Sequence, residues 1–156
     1  MARRRRAEIR KILPDPRYNS VDLAKFINNV MLNGKKTVAQ RIVYSAIELA
    51  EQEGGKSGFE VFEQAIRNST PMIEVRSRRV GGANYQVPTE LPRDKSLTLA
   101  MRWIIESSRS RSGSAYYLRL ARELMDAYNS QGPAIKRKDD IHKMAEANKA
   151  FAHFKW

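Results

Sequence analysis

Between Met72 and Leu91 the hydrophobic spacing of this chain changes from the three-to-four-residue rhythm of its other segments to a rhythm of two. Ile73 and Val75 alternate with Glu74 and Arg76, and Tyr85 and Val87 with Asn84 and Gln86, on either side of Gly81-Gly82. The pattern predicts two short strands joined by a tight turn. No third segment reads as a strand, so the pair cannot build a sheet core of its own. Pro88 has no N–H to offer a ladder, which restricts it to an edge or a free ribbon. The core must therefore come from helices, with the hairpin projecting from them or lying on them.

The helices are legible from caps and period. Ser20 caps a helix to about 32, with Leu23, Phe26, Ile27 and Val30 on one face, and Asn33-Gly34 ends it. A second runs from about 36 to 53, with Val38, Ile42 and Leu49 inward, stopped by Gly54-Gly55. Ser57-x-x-Glu60 reads as a capping box opening a third, with Phe59, Phe62 and Ile66 on one face, closed before Pro71. A fourth spans about 95–107, capped by Asp94, with Leu97, Met101, Ile104 and Ile105 inward. After a Ser/Arg/Gly linker over 107–114, a fifth spans 115–128 with Tyr117, Ala121, Leu124 and Tyr128 on one face. A loop over 129–133 leads to a sixth at 139–150, with Ile141, Met144 and Ala145 inward, and an aromatic tail over 151–156. The expected fold is an all-α domain of about six helices with one projecting two-stranded β-hairpin over 72–91, all one domain over 1–156.

Charge separates scaffold from contact surface. The chain has 29 Lys and Arg against 17 Asp and Glu, net +12. Such an excess repels itself and usually serves a polyanion, either nucleic acid or an anionic membrane. Residues 1–17 carry seven basic and two acidic residues, 18–72 six of each, and 96–122 five basic against one acidic. The neutral block reads as scaffold and the other two as contact surfaces. Arg3-Arg4-Arg5-Arg6, Arg10-Lys11 and the Pro14-Asp15-Pro16 break describe a basic arm over 1–19, not a core helix. No apolar run reaches membrane-spanning length, no secretory leader is recognisable, and there is no cysteine for disulfides or thiolate metal sites. Cytoplasmic placement is the simplest expectation.

Catalytic patterns are missing. His142 and His153 are eleven residues apart, not at metal-pair spacing, and no carboxylate cluster accompanies them, so no metal or other cofactor is expected. Ser114, His142 and Asp139 lack a nucleophile elbow. Gly55-Lys56-Ser57 resembles the end of a phosphate-binding loop, but Ala50 stands where its first glycine belongs and a helix precedes it instead of a strand.

Phosphate-binding chemistry is plentiful. Arg76, Arg78 and Arg79 lie on the first predicted strand, Arg76 and Arg78 on one face and Arg79 on the other. Guanidinium groups bind phosphate bidentately. The Val80-Gly81-Gly82-Ala83 tip has little bulk and suits a narrow gap, though Gly-Gly serves any tight turn. Lys35 and Lys36 flank the start of the second helix, where backbone N–H groups attract anions; the alternative is a merely solvated turn. Arg102, Arg109, Arg111, Arg119 and Arg122 surround the 107–114 linker with only Glu106 near in sequence. Lys136-Arg137-Lys138 fits phosphate or the aspartates that follow it. Trp103, Tyr116 and Tyr117 are candidates for base stacking, with core packing favoured for Tyr117.

Several stretches closely resemble the bacterial small-subunit ribosomal protein family numbered seven. Arg76-Ser-Arg-Arg-Val-Gly-Gly-Ala-Asn-Tyr-Gln-Val-Pro88 is the most specific. Met1-Ala-Arg-Arg-Arg, Phe26-Ile-Asn-Asn, Leu32-Asn-Gly-Lys-Lys36, Ala121-Arg-Glu-Leu-Met-Asp126 and Met144-Ala-Glu-Ala-Asn148 also match. The resemblance implies a structural protein that binds the 3′ major domain of small-subunit ribosomal RNA and helps nucleate assembly of the head. It places the hairpin near the exit-site tRNA and the mRNA exit path, with the small-subunit proteins numbered nine and eleven as neighbours. It implies RNA contacts at Arg3, Arg4, Arg5, Arg6, Arg10, Lys11, Lys35, Lys36, Arg76, Arg78 and Arg79, to which the residue pattern adds Arg102, Arg109 and Arg111. Arg79, Gly81, Gly82, Asn84 and Tyr85 would lie near tRNA.

Two rivals have discriminators. A helix-turn-helix DNA binder needs an exposed recognition helix, whereas the first two helices here look like core elements. An RNA-modifying enzyme needs a cofactor loop or a catalytic cluster, and neither is recognisable.

Overall fold

The computed structural model describes residues 7–8 and 10–154. Arg3 to Arg6 of the arm and Trp156 of the tail lie outside them. Six helices carry the body: α1 (Val21–Val30), α2 (Lys36–Gly54), α3 (Gly58–Ser69), α4 (Arg93–Ser110), α5 (Tyr116–Tyr128) and α6 (Gly132–Ala147). Strands β1 (Ile73–Val80) and β2 (Ala83–Glu90) form an antiparallel hairpin between α3 and α4, and a 3₁₀-helix over Lys149–Phe154 follows α6. This is the helical domain with one hairpin that the periodicity predicts.

The core lies where α1, α2, α3, α4 and α5 meet. Leu23, Phe26, Ile27, Val43, Ile47, Phe62, Met101, Ile104, Leu120 and Leu124 are all essentially without solvent contact. Each such side chain contributes roughly 1.5–3 kcal/mol on burial. Alanines at 39, 46, 50, 65, 100, 121 and 127 let the helix axes approach closely. The α2–α3 corner needs Gly58, because a Cβ there would strike the Ile47 carbonyl. Its N–H donates to Glu51 Oε2 at 3.3 Å.

Several boundaries differ from the sequence reading for local reasons. Ser20 does cap α1, accepting from Leu23 N at 3.2 Å. Ser57 makes no side-chain cap, so the predicted capping box does not form. Asp94 lies inside the first turn of α4, with Pro92 at the cap position. Helix α4 continues to Ser110 through the predicted linker, because Ser108 Oγ donates to the Ile105 carbonyl and Ser110 Oγ to that of Ser107, keeping the hydroxyls within the helix. Helix α6 starts at Gly132, not 139, since Pro133 in a first turn forfeits no hydrogen bond. Val38, Tyr117 and Met144, predicted to face inward, are 47%, 39% and 50% exposed. Ala39, Val43, Leu120, Ala134 and Ile135 fill the core instead.

The root of the arm is structured around a buried acid. Asp15, 3% exposed, accepts from the backbone N–H of Arg17 and of Tyr18 at 3.1 Å and from the Tyr44 hydroxyl at 2.6 Å. Burial, helped by the bond to Asp15, pushes the Tyr44 phenol up to about 12. Arg17 lies over the Tyr18 and Tyr44 rings and donates to Glu48 at 2.6 Å. Tyr44→Phe leaves the carboxylate short of one donor and is expected to cost about 1.5–3 kcal/mol in urea unfolding at neutral pH. Because folding raises this pKa, the stabilisation is complete below pH 10 and fades as pH climbs toward 12. The gap between wild type and variant should close over that interval.

Candidate nucleic-acid interface

The hairpin is pinned at its base and exposed toward its tip. Its register pairs Arg78 with Tyr85, Arg76 with Val87 and Val75 with Pro88. Hydrogen-bonded and non-hydrogen-bonded pairs alternate in an antiparallel ladder. Counting from the closing pair Val80–Ala83, Pro88 falls on a non-hydrogen-bonded pair, where its missing N–H costs nothing. The Leu91 N–H donates to the Met72 carbonyl at 3.0 Å and extends the same parity. Gly81 and Gly82 both have positive φ, 58° and 88°, the geometry of a type I′ turn. At the base Val87 is buried, and the Met72 N–H donates to His142 Nε2 at 3.2 Å. Further out, Arg76, Arg78, Arg79, Gly81, Gly82 and Asn84 are exposed. Arg76 forms an ion pair with Glu74 on its own strand.

Tyr85 is held rather than free. Its ring centroid lies 5.2 Å from that of Phe151 and 5.0 Å from that of Phe154. Sequence alone leaves these tail aromatics undecided between folding back and meeting a partner; the described ones fold back on β2.

The second basic region is assembled from segments distant in sequence. Lys35 and Lys36, at the start of α2, are exposed as expected. Across from them, the end of α4 and the start of α5 bring Arg109 and Arg119 to the same groove, a cavity of about 500 Å³ with Val38, Ile42 and Tyr116 in its lining. Arg109 also lines a cleft with Arg102, two turns earlier on α4, and Arg102 lines another with Glu74 at the hairpin base. A track of cations thus runs from the hairpin to the α1–α2 turn, with Glu74, Asp94 and Glu106 also lining its two clefts along α4.

The state of these guanidiniums sorts them. Arg109 Nη2 donates to the Val30 carbonyl at 3.1 Å, and Arg119 Nη1 donates to the carbonyls of Arg109 and Arg111. Carbonyls orient a guanidinium without cancelling its charge. Among the described residues, no carboxylate comes within ion-pair distance of Lys35, Arg102, Arg109 or Arg119.

Arg111 is different. Its Nε and Nη2 donate to Glu123 Oε2 at 2.9 and 2.6 Å, and Nη2 also meets Asp126. Along the sequence Glu106 is the lone acid nearby, but Glu123 and Asp126 fold back from α5. Arg111 is committed inward. Glu123 is itself wholly buried, and its Oε1 accepts from the Ala134 N–H at 3.3 Å, capping the first turn of α6. Burial pushes the Glu123 carboxyl above its usual range, against the opposing pull of Arg111.

The Lys136-Arg137-Lys138 run is partly engaged: Arg137 pairs with Glu106, and Lys138 donates to the Asn68 carbonyl at 2.7 Å. Trp103, 6% exposed, belongs to the core and cannot stack on bases, while Tyr116 lines the groove. Arg10 and Lys11 are exposed; Arg3, Arg4, Arg5 and Arg6 lie outside the described residues. Sequence reasoning missed Asp15 and Glu123, whose only signal was an acid set among basic or apolar neighbours.

A rigid helical body with un-neutralised cations along one edge and an arginine-bearing ribbon defines a class: a polyanion-binding scaffold protein. Residues 2–149 match the family described as ribosomal protein S7p/S5e, and the chain belongs to that family. It is similar over essentially its whole length to proteins described as small ribosomal subunit protein uS7. That of Fervidobacterium nodosum is 54% identical over 154 residues, 99% of each chain. That of Bordetella petrii is 56% identical over 156 residues, the whole of both. That of Chloroflexus aurantiacus is 57% identical over 154 residues, 99% of this chain and 98% of the relative.

Proposed function

We propose that this chain acts as an RNA clamp in the small ribosomal subunit, binding the 3′ major domain of its ribosomal RNA and helping to nucleate the head. As a member of this family it is a structural, non-enzymatic component of the small subunit, of the bacterial type. Among the described residues, no helix is long and apolar enough to cross a membrane.

The observation that carries the clamp is the cation track. Among the described residues, Lys35, Arg102, Arg109 and Arg119 have no carboxylate within ion-pair distance, while Arg17, Arg76, Arg111 and Arg137 pair with carboxylates. Phosphate is the partner such a track fits, and binding it releases counterions. A-form duplex hides its base edges in a deep groove, so shape and phosphate contacts should dominate. Lys36, at the start of α2, and Arg76, Arg78 and Arg79, on the hairpin, extend the track. The arm residues Arg10 and Lys11 are exposed and are proposed as further contacts, together with Arg3 to Arg6, which lie outside the described residues. The hairpin tip, with Arg79, Gly81, Gly82 and Asn84, is slim and exposed, which fits an approach to the exit-site tRNA and the mRNA path. Tyr85 would act there through the hairpin's posture, since its ring already packs on Phe151 and Phe154. The small-subunit proteins numbered nine and eleven are the proposed protein neighbours.

Crosslinking in cells followed by sequencing of the attached RNA tests the reading: fragments of the 3′ major domain should dominate, and enrichment elsewhere would overturn it. Changing Arg76, Arg78 and Arg79 together to alanine should weaken binding to that RNA by about 1–3 kcal/mol with an unaltered melting curve. The log–log salt dependence should flatten by roughly 0.7–0.9 for each phosphate the variant no longer neutralises. Unchanged affinity and slope would remove the hairpin from the interface.

A further inference from the structure

We infer that the groove between the α1–α2 turn and the α4–α5 junction is a seat for one unstacked RNA base. This deepens the RNA-clamp reading and rests on it. A phosphate track alone needs only a flat basic edge, yet here the cations Lys35, Arg109 and Arg119 rim an apolar recess containing Val38, Ile42 and Tyr116. Its volume, about 500 Å³, falls in the range of pockets that hold small ligands, ~300–1,000 Å³. No acidic side chain lines it. An acidic or neutral protein segment could fill the recess, but the un-neutralised guanidiniums on its rim favour an occupant that brings an apolar face and an anion together. A nucleotide swung out of a loop or bulge does so.

The recess is prepared for stacking. The Arg119 guanidinium carbon lies 5.5 Å from the centroid of the Tyr116 ring. The Tyr116 hydroxyl is fixed 3.2 Å from Ser108 Oγ, and Arg119 is anchored by two carbonyls. Aromatic faces and guanidinium planes are the surfaces on which single-stranded bases stack. Val38, which lines the recess, is 47% exposed, an apolar side chain open to an occupant.

The chain has no cysteine, so Thr37→Cys, exposed and next in sequence to the groove-lining Val38, accepts a single photocrosslinker. In the complex with small-subunit ribosomal RNA the label should mark one base in a single-stranded loop or bulge. Making that nucleotide abasic in a synthetic fragment should weaken binding of the unmodified protein roughly tenfold, toward the low end of what one stacked base contributes. Val38→Glu should weaken binding of the intact fragment to a similar degree. Its melting temperature should not fall, because an acid suits the first turn of a helix. Labelling confined to duplex or to a neighbouring protein in assembled subunits, or equal affinity for abasic and intact RNA, would overturn the base seat. If Val38→Glu binds normally while the triple arginine variant is weakened, only the base seat falls. If the wild-type chain shows no preference for ribosomal RNA over an arbitrary polyanion, the clamp itself falls.

Discussion

Glu123→Ala is expected to destabilise the protein by about 3–5 kcal/mol, the usual result of removing one partner from a buried ion pair. The wild-type carboxylate is wholly buried and joins three segments: Arg111 on the α4–α5 connection, its own helix α5, and the Ala134 N–H in the first turn of α6. Without it Arg111 keeps only the half-exposed Asp126, and the Ala134 N–H is left buried without an acceptor. The damage should extend to RNA. The Arg111 carbonyl is one of the two anchors of Arg119, so releasing Arg111 loosens a rim of the groove. Glu123→Gln keeps the shape and one carbonyl acceptor, so it should cost less. The pH dependence has a definite sign. Burial raises the folded carboxyl above its unfolded value, so its protonated form is favoured by folding. That contribution is present below the unfolded pKa and disappears as pH rises through the folded one. Wild type should therefore lose ground against the glutamine variant as pH rises through the window above 4.5. Melting curves at several pH values check this; a gap independent of pH would show that the buried carboxyl does not titrate with folding.

Phe62→Ala should be as damaging to stability, about 3–5 kcal/mol for a large aromatic removed from a close-packed core. Phe62 is 1% exposed, meets Phe26 of α1 edge-on at 5.2 Å, and lies 6.2 Å from Phe59. Phe59 in turn stacks on Tyr18 at 5.1 Å, at the root of the basic arm. An aromatic ladder therefore ties the arm's root to the centre of the body. Its effect on RNA should differ from that of Glu123→Ala. No residue of the ladder lines the groove, and the ladder reaches the arm only at its Tyr18 root, so RNA affinity measured well below the melting point should fall less than in Glu123→Ala. The two variants, matched in their effect on stability, separate folding from recognition. If both weakened RNA binding equally, the groove would have no special part in it.

The hairpin shows why shape and packing have different legibility. Period-two alternation, Gly81-Gly82 and Pro88 are local signals, and they place the ribbon to within a residue. From sequence the hairpin either projects from the helices or lies on them; Val87 is buried and His142 accepts from the Met72 N–H at the strand base, so excising the whole ribbon should expose part of the body. Shortening it by the exposed tip alone should leave the fold intact.

The basic clusters divide in the same manner. Arg109 and Arg111 are two residues apart and equally basic in sequence, yet one donates only to a backbone carbonyl and the other is paired inward with two carboxylates. The difference lies in Glu123 and Asp126, brought back one helix later. Lys35 and Arg119 are 84 positions apart and share one groove.

What the amino-acid order determined by itself was helix, hairpin and the polyanion-binding character, because periodicity, turn chemistry and net charge are properties of neighbours and of totals. Which cations face outward, and the recess they surround, only the packing of α1, α2, α4 and α5 decided. The charge a guanidinium presents depends on which distant carboxylate the fold sets beside it.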